Sequence, residues 1–309
     1  YTLVYTLSLH DALPICLATL AGQGLAVDVC PEADEARFAA LLPDAEVLWH
    51  CLRPVDAATL AAAPALRLIQ KIGVGVNTID LDAARARGVA VCNLPGSNSQ
   101  AVAEHALGLL LVVLRRLRTF DALVRAGRGW DREPALEDRL GEIAGGTVGL
   151  VGYGGVARAL APVLRALGAE VRYTARSPKA DAVGSWRSLD DLLAEADVVS
   201  LHLPLTEETR GLLDRPRLAR LKPGAVLLNT ARGGLVDAAA LLDALEAGPL
   251  AGAGLDVFAD EPLAPDDPLL TRDDVVLTPH VAWLTQETLA RSVALAAENC
   301  RRLARREAL

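Results

Sequence analysis

The alternation of short apolar runs with alanine-rich helical stretches constrains this chain more than any other feature. Leu25–Val29, Ala45–Trp49, Leu66–Ile72 and Val89–Cys92 have strand length and strand composition. The same rhythm returns at Thr147–Val151, Glu170–Thr174, Val198–Leu201, Ala225–Asn229, Gly252–Val257 and Val275–Leu277. A strand that reaches the next one through a helix runs parallel to it, and helices then cover both faces of the sheet. The expected class is α/β, with two doubly wound parallel-sheet domains. Between the two sets, Ala101–Leu117 reads as one long helix, apolar on most faces and ending in Arg115, Arg116 and Arg118. Thr285–Arg305 reads as a last helix that crosses back to the first domain.

A chain of 309 residues holds two cores of ordinary size. Hydrophobic residues make up 52% of it, yet no apolar run has membrane-spanning length, so a soluble protein with no membrane partner is expected. The net charge of −8 argues against nucleic acid and against anionic membrane surfaces. Cys16, Cys30, Cys51, Cys92 and Cys300 are scattered and form no C-x-x-C pair. They point to neither a disulfide framework nor a zinc site and suit a reducing cytoplasm. No cluster of His, Cys, Asp and Glu has metal-ligand spacing, so no metal is expected. Tyr5–Ile15 reads as the in-frame translation of a widely used sequencing adapter, and the chain has no methionine. Residues 1–15 are therefore expected to be artefactual, and His10 and Asp11 carry no functional weight.

Directly after the run Thr147–Val151 comes Gly152-Tyr153-Gly154-Gly155-Val156-Ala157, a G-x-G-x-x-A turn opening a helix over Ala157–Leu167. Gly152 allows the tight turn, Gly154 lets the backbone approach a pyrophosphate, and Ala157 is small enough for close helix–strand packing. The helix N-terminus, at Gly155 and Val156, offers amide donors to the phosphates. Alone such a turn is a weak signal; with strand context and a second strand about twenty residues on, it reads as dinucleotide binding. That second strand ends in Tyr173-Thr174-Ala175-Arg176-Ser177-Pro178, which has no acid to accept from a ribose hydroxyl. Arg176, flanked by Thr174 and Ser177, would pair instead with a 2′-phosphate, so NADP(H) is the expected cofactor and NAD(H) the alternative. The competing reading of Arg176 is a solvated surface cation.

Three later segments each present one functional group: Arg232 in Asn229–Asp237, Glu261 in Gly254–Pro262 and His280 in Leu277–Trp283. A fixed cation, a carboxylate and an imidazole are what reduction of a 2-oxo acid requires. The cation holds the substrate carboxylate, the imidazole gives a proton to the ketone oxygen, and the carboxylate keeps that imidazole protonated. His105, on an apolar helix, reads as a buried hydrogen-bonded histidine rather than a catalyst, and His202 reads as structural. His50 and Arg53 could belong to a ligand cleft or to the core.

From Leu66 to Thr288 these segments resemble the D-isomer-specific 2-hydroxyacid dehydrogenases. The resemblance also rests on Gly73–Asp80, on Asn93–Gly96 leading into Ala101–Leu107, and on His202–Thr206. It implies a Rossmann cofactor domain (98–285) inserted in a flavodoxin-like substrate domain (1–97 and 286–309), with ligands in the cleft between them and a homodimer formed around the cofactor domain. It further implies that Arg232 binds the substrate, that His280 is the general acid in reduction and that Glu261 is its partner. Backbone amides of Val74 and Gly75 would cradle the substrate carboxylate, Asp256 would hold the nicotinamide carboxamide, and Pro204, Thr206, Thr230 and Ala231 would line the cofactor. Ala282-Trp283 follows the histidine where many members have small residues; Trp283 either narrows the substrate pocket or packs between domains. The resemblance also places a first strand deep in the small domain's sheet, just before a helix over Leu17–Gln23. Tyr1–Leu7 is β-rich enough to imitate that strand, but nothing selected it to pack there, so the small domain is expected to be destabilised.

The leading expectation is an NADPH-dependent reductase of glyoxylate, hydroxypyruvate or a bulkier 2-oxo acid. Phosphite or formate oxidation on a similar scaffold is the enzymatic alternative, and a dinucleotide-sensing corepressor is the binding alternative. Phosphoglycerate dehydrogenation ranks lower, because the chain leaves no room for the regulatory domain that many such enzymes carry.

Overall fold

The computed structural model describes residues 2–7, 20, 25–31, 33–131 and 134–309. Apart from Leu20, the helix expected over Leu17–Gln23 lies outside the described residues. Among these residues the strands are β1 (Thr2–Leu7), β2 (Ala26–Pro31), β3 (Val47–His50), β4 (Leu68–Lys71), β5 (Ala90–Cys92), β6 (Thr147–Val151), β7 (Glu170–Thr174), β8 (Ser185–Trp186), β9 (Val198–Leu201), β10 (Ala225–Asn229), β11 (Leu250–Leu255) and β12 (Val275–Leu277). The chain divides into two compact units, Tyr1–Asn98 with Leu284–Leu309, and Ser99–Trp283.

The first unit carries a five-stranded sheet in the order β2-β1-β3-β4-β5, every pair parallel. This is the flavodoxin-like order. β3 and β4 are buried along their whole length because helices cover both faces. On one face Val47, Trp49 and Leu68 pack with Val293, Ala296, Ala297 and Cys300 of the final helix, Gln286–Arg305. On the other, Leu48 and Ile69 pack with Phe38, Leu60 and Ala84 from three short helices. Two polar links tie the last helix to the sheet: Trp49 Nε1 donates to Cys300 Sγ at 3.4 Å, and Asn299 Nδ2 donates to Gln70 Oε1 at 2.7 Å.

The second unit carries a seven-stranded parallel sheet in the order β12-β11-β10-β9-β6-β7-β8. Its first strand, β6, lies where the winding reverses, which is the Rossmann order. Helices Ser99–Leu114 and Gly155–Ala166 cover one face, and helices Leu189–Glu195, Arg215–Leu218 and Ala238–Glu246 the other. The helix expected to run to Leu117 stops at Leu114, and a second runs over Leu117–Arg125. Arg116 between them adopts a left-handed φ of 48° and donates to the carbonyl of Ala251 at 2.8 Å. A tertiary hydrogen bond here overrides helix propensity. β8 was not anticipated; two residues are too short to carry an apolar pattern. Among the described residues no helix is long and apolar enough to cross a membrane.

The adapter-like segment Thr2–Leu7 is built into the first sheet. It pairs in register with Ala26–Pro31 on one side and with Val47–Trp49 on the other. Removing residues 1–15 strips ladder partners from both neighbours. The expected outcome is loss of amide-exchange protection in β3 with protection in β6 retained. Undiminished protection in β3 of the shortened chain would show that β1 contributes nothing.

Candidate active site

All strands of a parallel sheet point their carboxyl ends to one edge, and ligands of open α/β sheets bind there. In the second unit Gly152 follows β6, Thr174 ends β7, His202–Thr206 follow β9, Thr230–Arg232 follow β10, and Asp256 follows β11. His280 comes three residues after β12. Register keeps the last three together, since Asn229 pairs with Leu255 and Leu255 with Leu277. Three loops therefore leave adjacent strands at one level.

Gly152 has φ 96°, and a Cβ there would stand 2.5 Å from the carbonyl oxygen of His202, so only glycine makes this turn. Gly154 caps the helix Gly155–Ala166, and the space where its Cβ would be is open. An open space beside a helix N-terminus suits a pyrophosphate. Val156 lies in the first turn of that helix, half-buried. At the end of β7 Arg176 and Ser177 are exposed, Thr174 is half-buried, and Lys179 Nζ lies 3.4 Å from Ser177 Oγ. Beside Pro204 and Thr206 the structure adds Thr209, whose hydroxyl donates to the Pro204 carbonyl at 2.7 Å and accepts from the Thr206 amide at 2.8 Å.

His280 Nδ1 lies 2.7 Å from Glu261 Oε2, and the second carboxylate oxygen of Glu261 accepts from the Phe258 amide at 2.9 Å. Burial pushes the Glu261 carboxyl up. The His280 and Phe258 hydrogen bonds and the charges of His280 and Arg232 outweigh that and hold it below its ordinary range. Burial pushes the Arg232 guanidinium down, opposed by the Glu261 charge; it stays cationic at any working pH. Asn229 was missed as a site residue. Its amide donates to the Arg232 carbonyl at 2.9 Å and its oxygen accepts from the Ala231 amide at 3.0 Å, which fixes the turn presenting Arg232. A buried asparagine closing an apolar strand is a signal sequence reading could have used. The Thr230 hydroxyl beside it is buried without a hydrogen-bond partner. Gly233 lets this turn lie against the Glu261 loop, for a Cβ there would come within 1.9 Å of the Phe258 carbonyl carbon.

Asp256, at the end of β11, already has partners within the protein. Its carboxylate is buried and accepts from the Thr278 hydroxyl at 2.6 Å and from the amides of Val281 and Ala282, each at 2.9 Å. It is bound up in holding the His280 loop. Trp283, half-buried, donates from Nε1 to the His280 carbonyl at 3.1 Å. Val74 and Gly75 belong to the first unit, after β4, where Asn93 Nδ2 donates to the Val74 carbonyl at 2.7 Å. Burial, with the Lys71 charge, pushes His50 down to about 3, and burial pushes His202 down to about 4, so both are neutral near pH 7. His202 Nε2 is 2.9 Å from Ser200 Oγ, in keeping with a structural role. Among the described residues no group of His, Cys, Asp and Glu could hold a metal ion.

Comparison with known proteins adds an independent line. The model of the NAD-binding domain of D-isomer specific 2-hydroxyacid dehydrogenases matches residues 107–282. D-3-phosphoglycerate dehydrogenase of Mycobacterium leprae (strain TN) is 44% identical over 273 residues, which cover 87% of this chain and 51% of that protein. The chain thus spans about half the length of that relative. Glyoxylate reductase of Aeropyrum pernix is 40% identical over 264 residues, covering 83% of this chain and 79% of the relative. The crystal structure of a Thermus thermophilus protein is similar with a TM-score of 0.89 at 40% identity, covering 99% of this chain and 98% of that one.

The two glycines separate packing from binding. Gly233→Ala forces backbone apart and is expected to cost about 1–3 kcal/mol of stability, read as a lowered melting temperature. Gly154→Ala meets no atom of the protein. It should leave the melting temperature unchanged while weakening dinucleotide binding in a fluorescence titration. A Gly154→Ala protein that binds dinucleotide normally would remove this turn from the cofactor site.

Proposed function

The chain belongs to the D-isomer specific 2-hydroxyacid dehydrogenase family, and from that premise we propose that it reduces a small 2-oxo acid to the D-2-hydroxy acid with NADPH. The observation that carries the reading is the His280–Glu261 pair at 2.7 Å, with the charge of Arg232 acting on the same carboxylate. When bound, a nicotinamide dinucleotide supplies the hydride, and Gly152, Gly154, Gly155 and Val156 would hold its pyrophosphate. Arg232 binds the substrate carboxylate and polarises the ketone. With Nδ1 directed to Glu261, His280 presents Nε2 to the ketone oxygen and delivers the proton there; in the reverse direction the same nitrogen takes it. Amides of Val74 and Gly75 bind the carboxylate, and Trp283 limits the size of the substrate side chain.

Glyoxylate and hydroxypyruvate head the substrate class, supported by the glyoxylate reductase relative. A second reading is D-3-phosphoglycerate oxidation, favoured by the 44% identical relative of which the chain matches about half. A spectrophotometric panel of 2-oxo acids, phosphohydroxypyruvate included, separates the two. No turnover of any of them would defeat both. Cytoplasmic residence and a homodimer belong to the same proposal. The second rests on the apolar surface of helix Leu117–Arg125 and on Trp130, 83% exposed, and sedimentation velocity tests it.

The pH dependence follows from the pair. Because the Glu261 carboxyl is held low, the anion persists as pH falls to below the ordinary carboxylate range, and reduction should persist with it. Reduction takes up a proton and oxidation releases one, so reduction should fall and oxidation rise as pH rises. Glu261→Gln should lower kcat/KM for reduction, because the proton-donating imidazole loses its anionic partner. Arg232→Ala should cost roughly 10²-fold or more in kcat/KM. Near-normal turnover by His280→Ala would sink the mechanism.

Arg176 is expected to make NADPH the better donor by about 1.5–3 kcal/mol, or roughly ten-fold to above a hundred-fold. Its exposure at the end of β7 and the neighbouring Lys179 support this. Arg176→Ala should weaken NADPH far more than NADH. Equal kcat/KM for the two cofactors in the parent protein would make Arg176 a surface residue only.

A further inference from the structure

We infer that His105 is a positioning residue for His280, acting through Thr278 and Asp256 to hold the left-handed turn that carries the imidazole. The inference rests on the reading of His280 given above and adds to it a residue outside the reacting groups.

His280 has φ 54°, which a non-glycine residue keeps only where its surroundings over-determine it. Asp256 supplies that determination. Its backbone carbonyl accepts from the His280 amide at 2.8 Å, and its carboxylate takes the next two amides, Val281 and Ala282. What orients the carboxylate is Thr278. An ionised carboxylate only accepts, and a hydroxyl has a single proton. At 2.6 Å that proton goes to Asp256 Oδ1, so the Thr278 oxygen is left to accept. His105 Nε2 lies 2.9 Å from the Thr278 oxygen and must be the donor. The chain therefore has one polarity: His105 Nε2–H to Thr278, Thr278 O–H to Asp256, and Asp256 to the amides after His280. At 3.6 Å from Oδ1, His105 is too far to bond Asp256 directly and works through the hydroxyl.

Packing brings His105 there. It sits on helix Ser99–Leu114, and β11 meets that helix with Gly254, where a Cβ would stand 2.9 Å from Leu109 Cβ. Arg118, beyond the end of the helix, donates to the Val275 carbonyl of β12 at 2.7 Å and pins the same neighbourhood.

The test uses the full-length protein and three readouts: amide exchange at Val281 and Ala282, kcat for a 2-oxo acid, and dinucleotide affinity. His105→Leu should speed exchange at both amides and lower kcat, each roughly ten-fold, with dinucleotide affinity unchanged. Glutamine can place an amide N–H where Nε2 lies, so His105→Gln should restore both. Thr278→Val should reproduce His105→Leu, and the double variant should be no worse than either single one. Parental exchange and kcat in His105→Leu, a His105→Gln protein as impaired as His105→Leu, or additive losses in the double variant would each overturn the inference. Should His105→Leu fail to fold, His105→Asn, whose amide stops one bond short, takes its place with the same outcomes. If the parent protein reduces no 2-oxo acid, the functional reading fails, and the exchange data still decide on His105.

Discussion

A carboxylate removed from water must have donors around it, and in this protein the donors Asp256 finds are the loop that carries His280. Much of the site's geometry follows from that one demand. β10, β11 and β12 end in register, so their loops start from a common level. Asp256 then holds the β12 loop against the end of β11, Asn229 fixes the β10 loop, and Gly233 lets the β10 loop lie against the β11 loop at Phe258. Arg232, Glu261 and His280 come from three loops, yet none of the three is left to set its own position. Around Asp256 the network is a satisfied one, which is the condition under which buried polar groups specify a conformation instead of costing stability.

The site was legible in sequence where its meaning is local. The turn at Gly152 and Gly154 is read from neighbours a few residues away, because a glycine pair between a strand and a helix already marks a dinucleotide turn. The central strands β6, β9, β10 and β11 were legible for a related reason: buried on both faces, they stand as continuous apolar runs. Where meaning depends on distant partners, the sequence was silent. His105 and Thr278 are 173 residues apart, and nothing in either segment announces the other. For Asp256 the resemblance implies a role toward the cofactor; the bonds it accepts from Val281 and Ala282 appear only once the loop is folded. The break at Arg116 is of the same kind, since the carbonyl that draws its guanidinium belongs to Ala251.

Charge is distributed over the histidines by burial in a way that assigns work. His50 and His202 are pushed down by desolvation and are neutral near pH 7. Of these three, only His280 is joined to a carboxylate whose own titration is displaced to lower pH, so it alone has a partner anionic over the range where imidazole titrates. Placing the acid beside a partly buried cation, Arg232, extends that range further.

The first unit is assembled from two segments that flank the second, and this bears on how it forms during synthesis. One face of its sheet, with Val47, Trp49 and Leu68, is covered by Val293, Ala296, Ala297 and Cys300. Those covering residues leave the ribosome only after the whole of Ser99–Trp283, which has everything its own core needs. The sheet face at Trp49 therefore has no cover until the final helix has been made, whereas the core of the inserted unit draws on no later segment. In a nascent chain the exposed surface most in need of protection is thus the one made first.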